Sequence, residues 1–444
     1  MESKTDVFSR LDEVVLRSIE DALRRDPEFQ ATIRNGQHTS FDLACKDNGS
    51  SLAFVITKDQ AKAYLQSSMN ARLETRFTLF AQSNHWNEVF EAVPKRPFQS
   101  YWGMLRLLGA KAGVEVSGDK AAFTAFARAW RLVIDLVRDT LRPQNSKTIE
   151  RAFLEADELD DDSITGHYLW LKLPEVGKCK VFYEKSGVGL QSMLFLHTAG
   201  ADSRQYHSLM MDKSLQQKCT MYAFDLPGHG RSFPGEHQYP GAYANSEELY
   251  ISAIGQMIQR LRIHRVIVSG ASMGGQVCLA VALRASELDV SGVIPCEACD
   301  YIPEQRAQRI YSLTGDESIL NPERVCGMIA PTSPAIYKRL NWWIYSSQAT
   351  KVFSGDLKFY FEGWDGRDRM SQIDTNCCPV YMLTGAYDYS CSPDMSRETA
   401  AKINGAVFEE MLGLGHFPMS EDPARFLPYF LRALEHIQQA HHIS

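Results

Sequence analysis

Val266-Ile267-Val268-Ser269-Gly270-Ala271-Ser272-Met273-Gly274-Gly275 is a short apolar run that ends abruptly in a serine flanked by glycines. The run reads as a buried parallel strand and Gln276 to Arg284 as a helix, so Ser272 falls on a sharp strand-to-helix turn. Gly270 and Gly274, two residues to either side, let the backbone enter that turn without a side-chain clash. The helix start offers unpaired N–H groups to a developing negative charge. A turn of this kind presents its serine as a nucleophile.

Such a serine needs a base and an acid, and both follow later in the chain. Pro379 to Gly385 reads as a buried strand with Asp388 just beyond it. Ala406 to Leu412 reads as a last strand, and Gly413-Leu414-Gly415-His416-Phe417-Pro418 places His416 on a glycine-rich loop before the final helix. The order Ser272, Asp388, His416, on three loops that each leave a strand, resembles the α/β-hydrolase superfamily over roughly residues 165 to 440. The resemblance implies an α/β fold class, with a mostly parallel sheet flanked by helices, and a Ser-His-Asp triad made of those residues.

Further stretches carry the same resemblance. The strand Met193 to Leu196 runs into His197-Thr198-Ala199-Gly200, where the superfamily places its oxyanion loop. The expected donors are the backbone N–H of Met273 and that of Thr198 or Ala199. Thr198 stands where a glycine commonly follows the histidine, which leaves the second donor open and makes the Thr198 hydroxyl another candidate. His197 itself reads as a side chain bonding local backbone. Asp225-Leu226-Pro227-Gly228-His229-Gly230-Arg231-Ser232 resembles the superfamily's turn after the fourth strand, with Asp225 and Arg231 holding that loop. Val290 to Cys296 reads as a strand that delivers Glu297 and Asp300 to the Ser272 side of the sheet. Some members carry the acid on this strand, so Asp300 is the alternative to Asp388. His436, His441 and His442 lie on the last helix or its polar tail, away from such loops.

The 444 residues exceed one ordinary domain, and 44% hydrophobic with 23% charged residues suits a soluble globular protein. A formal charge of −7 provides no basic field for nucleic acid. The first thirty residues lack the apolar core of a signal peptide, and no apolar run reaches membrane-spanning length, so a cytoplasmic location is expected. Ten scattered cysteines read as reduced core residues rather than a disulfide framework. Cys296 with Cys299, and the vicinal Cys377 and Cys378, lack a second pair at metal-binding spacing. No cofactor and no metal are required by this reading.

Residues 1–145 read as a separate α+β domain: a helix over Val7 to Arg24, strands at Thr39 to Cys45, Ser51 to Thr57 and Arg76 to Gln82, helices at Asn84 to Ala92 and Phe98 to Leu108, a strand at Val114 to Val116 and a long helix over Lys120 to Leu141. This order, with the Phe77 to Ala81 and Val114 to Asp119 stretches, resembles the sterol-carrier-protein fold, which implies an apolar tunnel for an acyl or sterol ligand. The plainer expectation is a packing or dimerisation module. A linker at 146–163, with the acidic run Glu158 to Asp162, leads into a domain at 164–444 that opens with a hairpin. Within it, 301–375 is too long for a connection and reads as a cap over the site. The cap carries Tyr311, Tyr337, Trp342, Trp343, Tyr345, Phe353, Phe359, Tyr360, Phe361 and Trp364, which suit a bulky, largely apolar small-molecule substrate.

The whole chain, including Leu196 to Arg204, is similar to fungal hydrolases of secondary-metabolite pathways of the pseurotin and cytochalasan kind. The similarity implies a polyketide-derived substrate. The expected reaction is cleavage of an ester, lactone or thioester. The alternatives are a lyase or cyclase using His416 as base, and a ligand-binding protein with a vestigial triad.

Overall fold

The computed structural model describes residues 6–34, 38–58, 60–66, 74–143, 163–239, 241–303 and 316–442. Almost all of the expected linker, and Tyr311 of the expected cap, lie outside them. The chain forms two compact units, Met1–Lys147 with Gln308–Gly327, and Thr148–Ala307 with Met328–Ser444.

The first unit is built on a five-stranded sheet of β1 (Thr39–Cys45), β2 (Ser51–Ile56), β3 (Ala61–Gln66), β4 (Phe77–Ala81) and β5 (Glu115–Gly118), in the order β3-β2-β1-β4-β5. β1 pairs antiparallel with β2 and parallel with β4. β3 was not among the expected strands: it is an edge strand whose exposed Lys62, Tyr64 and Leu65 blur the apolar alternation. The expected long helix is two, Lys120–Ala125 and Ala127–Leu141, parted at Phe126 where the backbone leaves helical geometry. Rings fill the space between sheet and helices. Phe41 stacks between Phe54 at 5.3 Å and Phe77 at 5.5 Å, Trp86 stacks on Tyr101 at 5.6 Å, and Phe123 on Trp130 at 5.2 Å.

Part of the segment expected as cap belongs to this unit. On the helix Glu317–Met328, Leu320 joins the aromatic core and Glu323 forms a buried ion pair with Arg131. Ser100 Oγ donates to Gly327 O at 2.7 Å. From Met328 on, the segment expected as cap lies in the second unit.

The second unit carries an eight-stranded sheet: β6 (Thr165–Leu173), β7 (Gly177–Ser186), β8 (Gln191–Leu196), β9 (Cys219–Phe224), β10 (Val266–Ala271), β11 (Val290–Cys296), β12 (Tyr381–Gly385) and β13 (Val407–Met411), in the order β13-β12-β11-β10-β8-β9-β7-β6. The six strands from β8 to β13 are mutually parallel, while the β6–β7 hairpin closes one edge antiparallel. The inner parallel strands β10, β11 and β12 are buried along their whole length because helices cover both faces, whereas edge strand β13 carries Glu409 and Glu410. Their common direction brings the loops after Leu196, Phe224, Ala271, Cys296, Gly385 and Met411 to one edge of the sheet. This is an α/β-hydrolase arrangement. Among the described residues no helix is long and apolar enough to cross a membrane.

Candidate active site

The helix Met273–Leu283 is buried on all sides, as its apolar sequence requires, and begins directly after β10. Between them Ser272 adopts φ 58° and ψ −118°, a strained conformation for a residue with a side chain. The flanking glycines permit close approach rather than positive φ. A Cβ on Gly274 would lie 2.5 Å from Leu196 O, and one on Gly275 2.2 Å from Cys296 O. Nothing larger than hydrogen lets the helix sit so near the strand ends.

Asp388 and His416 are brought together. Asp388 Oδ2 lies 2.7 Å from His416 Nδ1, with the aspartate fully buried and the histidine 3% exposed. The other carboxylate oxygen accepts from Ser390 N at 2.6 Å and Cys391 N at 3.2 Å, so the acid is fixed before it meets the imidazole. With Nδ1 facing the carboxylate, Nε2 is left to act as a base. Among the described residues neither Nε2 nor the Ser272 hydroxyl has a hydrogen-bond partner. In a free enzyme such a catalytic contact is commonly open and tightens when substrate binds.

Asp300, the alternative acid, is engaged elsewhere. Its carboxylate accepts from Thr399 Oγ1 at 3.0 Å and pairs with Lys402. Glu297, at φ 48° just beyond β11, is fully buried, and its Oε1 accepts from Gly385 N at 3.0 Å. Burial, and then the charge of Asp388, push its carboxyl well above the usual range.

On the loop after β8, expected to supply an oxyanion donor from Thr198 or Ala199, the two residues differ. Thr198 N donates to Gln205 Oε1 at 3.0 Å and the Thr198 hydroxyl to the same oxygen at 3.1 Å, while Tyr345 OH bonds Thr198 Oγ1. Both Thr198 donors are spent on Gln205. The threonine in place of a glycine ties this loop to Gln205 and Tyr345. Ala199 N–H has no acceptor among the described residues, and Met273 N–H, at the first position of its helix, has no intrahelical one. His197 bonds backbone on both sides: Nδ1 lies 2.9 Å from Thr198 O, and Nε2 accepts from Leu226 N at 3.2 Å. Burial, followed by the charge of His229, lowers it to about 4, so it is neutral.

Asp225 accepts from Ser203 N and Arg231 N, both at 2.8 Å, and Arg231 continues to Glu184. These residues hold the loop after β9. Ser246 caps the helix Glu247–Leu261 by accepting from Leu249 N at 3.1 Å.

One residue on the histidine loop carried no recognisable sequence signal. Glu421 is fully buried, accepts from Gly415 N, and accepts from Phe417 N at 3.1 Å, gripping the backbone on both sides of His416. Burial raises its carboxyl to about 7 against those hydrogen bonds. Of the expected cap rings, Tyr337, Tyr345, Phe359, Tyr360, Phe361 and Trp364 are buried, whereas Trp343 is half exposed under Arg204. Tyr345 lies edge-on to both Phe353 and Phe417, at 5.7 and 5.6 Å, forming an aromatic wall between the oxyanion loop and the histidine loop. All ten cysteines are free thiols, nine of them buried.

A sequence profile described as "Alpha/beta hydrolase family" matches residues 193–428. An uncharacterised protein of Mycobacterium tuberculosis is 25% identical over 274 residues, which cover 56% of this chain and 76% of the relative. Among solved structures, a thermophilic esterase from Thermogutta terrifontis aligns with a TM-score of 0.51 at 19% identity, over 61% of this chain and 99% of the esterase. The enol-lactonase from Burkholderia xenovorans LB400 aligns with a TM-score of 0.50 at 18% identity, over 60% of this chain and all 100% of the lactonase. At those identities the likeness concerns the fold.

Proposed function

We propose, from the premise that this chain belongs to the alpha/beta hydrolase family, that it is a serine hydrolase acting on an ester, lactone or thioester of a bulky, largely apolar compound. The observation that carries the reading is the buried 2.7 Å contact between Asp388 and His416 on the sheet edge where the strained Ser272 turn lies.

In this reading His416 Nε2 takes the Ser272 proton as Oγ attacks the acyl carbon, and Asp388 fixes the imidazole and stabilises its charge. The carbonyl oxygen gains negative charge against the N–H groups of Met273 and Ala199. His416 then protonates the departing group, leaving an acyl-enzyme, and water delivered by the same base releases the acid. Ester, lactone and thioester differ here only in the leaving group. The wall of Tyr345, Phe353 and Phe417 supports an apolar acyl group, and the similarity of Leu196 to Arg204 to secondary-metabolite hydrolases supports a polyketide-derived one.

A panel of aryl esters, lactones and acyl thioesters tests the proposal. Saturable hydrolysis that disappears in Ser272→Ala and His416→Gln is the expected outcome. Hydrolysis unchanged in Ser272→Ala, or a folded wild type inert to all three classes, defeats it.

A further inference from the structure

Asp356 lies on the cap helix Val352–Lys358 and is fully buried, yet its carboxylate receives four donors. Gly200 N reaches it at 2.8 Å, His229 Nε2 at 2.7 Å, Tyr243 OH at 2.9 Å and Asn245 Nδ2 at 3.2 Å. None of these partners is on the cap; all come from loops around the sheet edge. A buried carboxylate is costly unless its lone pairs are filled, and here they are. Burial alone would raise its pKa, but His229 and the hydrogen bonds outweigh it and hold the carboxyl below its usual range.

The position of these bonds concerns the peptide that carries the Ala199 N–H. The preceding peptide is fixed by Thr198 N donating to Gln205. The peptide itself is held through its carbonyl, since Thr198 O lies 2.9 Å from His197 Nδ1 and accepts from Ala201 N at 3.2 Å. A peptide N–H points opposite its own C=O, so anchoring that oxygen aims the Ala199 N–H the other way. The following peptide is fixed by Gly200 N donating to Asp356. Gly200 sits at φ 63°, and a Cβ there would lie 2.1 Å from a Phe353 ring carbon, so the cap helix touches this turn twice. Asp356 also holds His229, whose ring lies 4.8 Å from that of His197. On the opposite wall, Asn245 Nδ2 contacts both Asp356 and the Met273 sulfur at 3.6 Å.

We infer that Asp356 is a positioning residue for the oxyanion hole, a cap side chain that holds the Ala199 donor through Gly200 and His229 and the Met273 side through Asn245. It touches no reacting atom. The inference rests on the serine-hydrolase reading and adds that the hole is assembled by the cap, before substrate arrives. A hole assembled this way stabilises charge that exists only in the transition state, so its loss appears in kcat and leaves KM nearly alone.

The test uses the full chain, steady-state hydrolysis of an aryl ester normalised to titrated active sites, and inhibition by phenylboronic acid, whose adduct on serine is tetrahedral and anionic. Asp356→Asn should lower kcat about 100-fold with KM within about 3-fold, and the inhibition constant should rise in proportion. Where Asp356→Asn fails to fold, Tyr243→Phe decides, since it removes one of the four donors and leaves the buried His229 pair. It should lower kcat several-fold and weaken boronate in parallel, with KM unchanged. Wild-type kcat in a folded Asp356→Asn, or in Tyr243→Phe where that variant decides, overturns the inference, as does a loss confined to KM. A wild type that cleaves no ester defeats the hydrolase reading itself and the inference with it, and is distinguished by the first measurement made.

Discussion

Asp388 and Asp300 both follow strands of the same sheet, but only Asp388 meets an imidazole; Asp300 is taken by Lys402 and Thr399. Asp388→Asn should therefore lower kcat by roughly 10³- to 10⁴-fold, since an amide cannot hold the histidine in the required tautomer. Asp300→Asn should stay within a few-fold of wild type, because its lysine partner is half exposed. Steady-state rates on one aryl ester, with thermal midpoints to show both variants folded, check the pair. The sequence made Ser272, Asp388 and His416 readable because each stands just past an apolar run, where chain direction alone delivers it to the edge. Gln205, Asp356 and Glu421 offered no such signal. Their role is to satisfy buried backbone donors, Gln205 and Glu421 on their own loops and Asp356 on a loop far away in sequence, and which donors are left buried depends on packing rather than on local pattern.

At the scale of elements, the strand-to-helix turn was legible because Asp388 and His416 follow it in order, although the helix begins at Met273 rather than at the expected Gln276. The glycines serve as expected, giving clearance to the turn, while the positive φ falls on Ser272 itself. Gly275→Ala would set a Cβ 2.2 Å from the Cys296 carbonyl oxygen and should destabilise the fold by about 1–3 kcal/mol, measured by urea unfolding. The histidine loop carries a pH dependence of its own. Burial raises the carboxyl of Glu421 to about 7 in the folded chain, against an ordinary glutamate value of 4.5 when unfolded. Between those values the folded state binds more protons than the unfolded one. Its contribution to stability is therefore greatest below pH 4.5 and is lost as pH rises toward 7, by up to about 1.4 kcal/mol per unit. Urea unfolding of wild type and Glu421→Gln at several pH values across that window should show a steeper decline in wild type. Equal slopes would contradict it. Edge strand β3 and the break at Phe126 escaped the sequence because exposed apolar residues and a continuous helical stripe gave the wrong period locally.

For the molecule as a whole, sequence adjacency was a poor guide to which unit a segment serves. Residues 316–327 lie beyond the start of the hydrolase domain in sequence and belong with the N-terminal unit. The buried Arg131–Glu323 pair belongs to that association, and its energetics are testable within that unit. Arg131 also pairs with Asp135 at 3.1 Å and Glu28 at 3.6 Å, so Glu323→Leu leaves it partnered and should cost less than Arg131→Met, and the double variant should cost less than the sum of the two, as calorimetry of the three variants would show. Additive losses would contradict that reading. The central claim for the molecule is that Ser272 is an activated nucleophile, and intact-mass analysis after exposure to an aryl fluorophosphonate tests it most directly. The account predicts one adduct per wild-type chain, none on Ser272→Ala and slow formation on Asp388→Asn. A folded wild type that takes up no adduct, or an adduct that persists on Ser272→Ala, would contradict it.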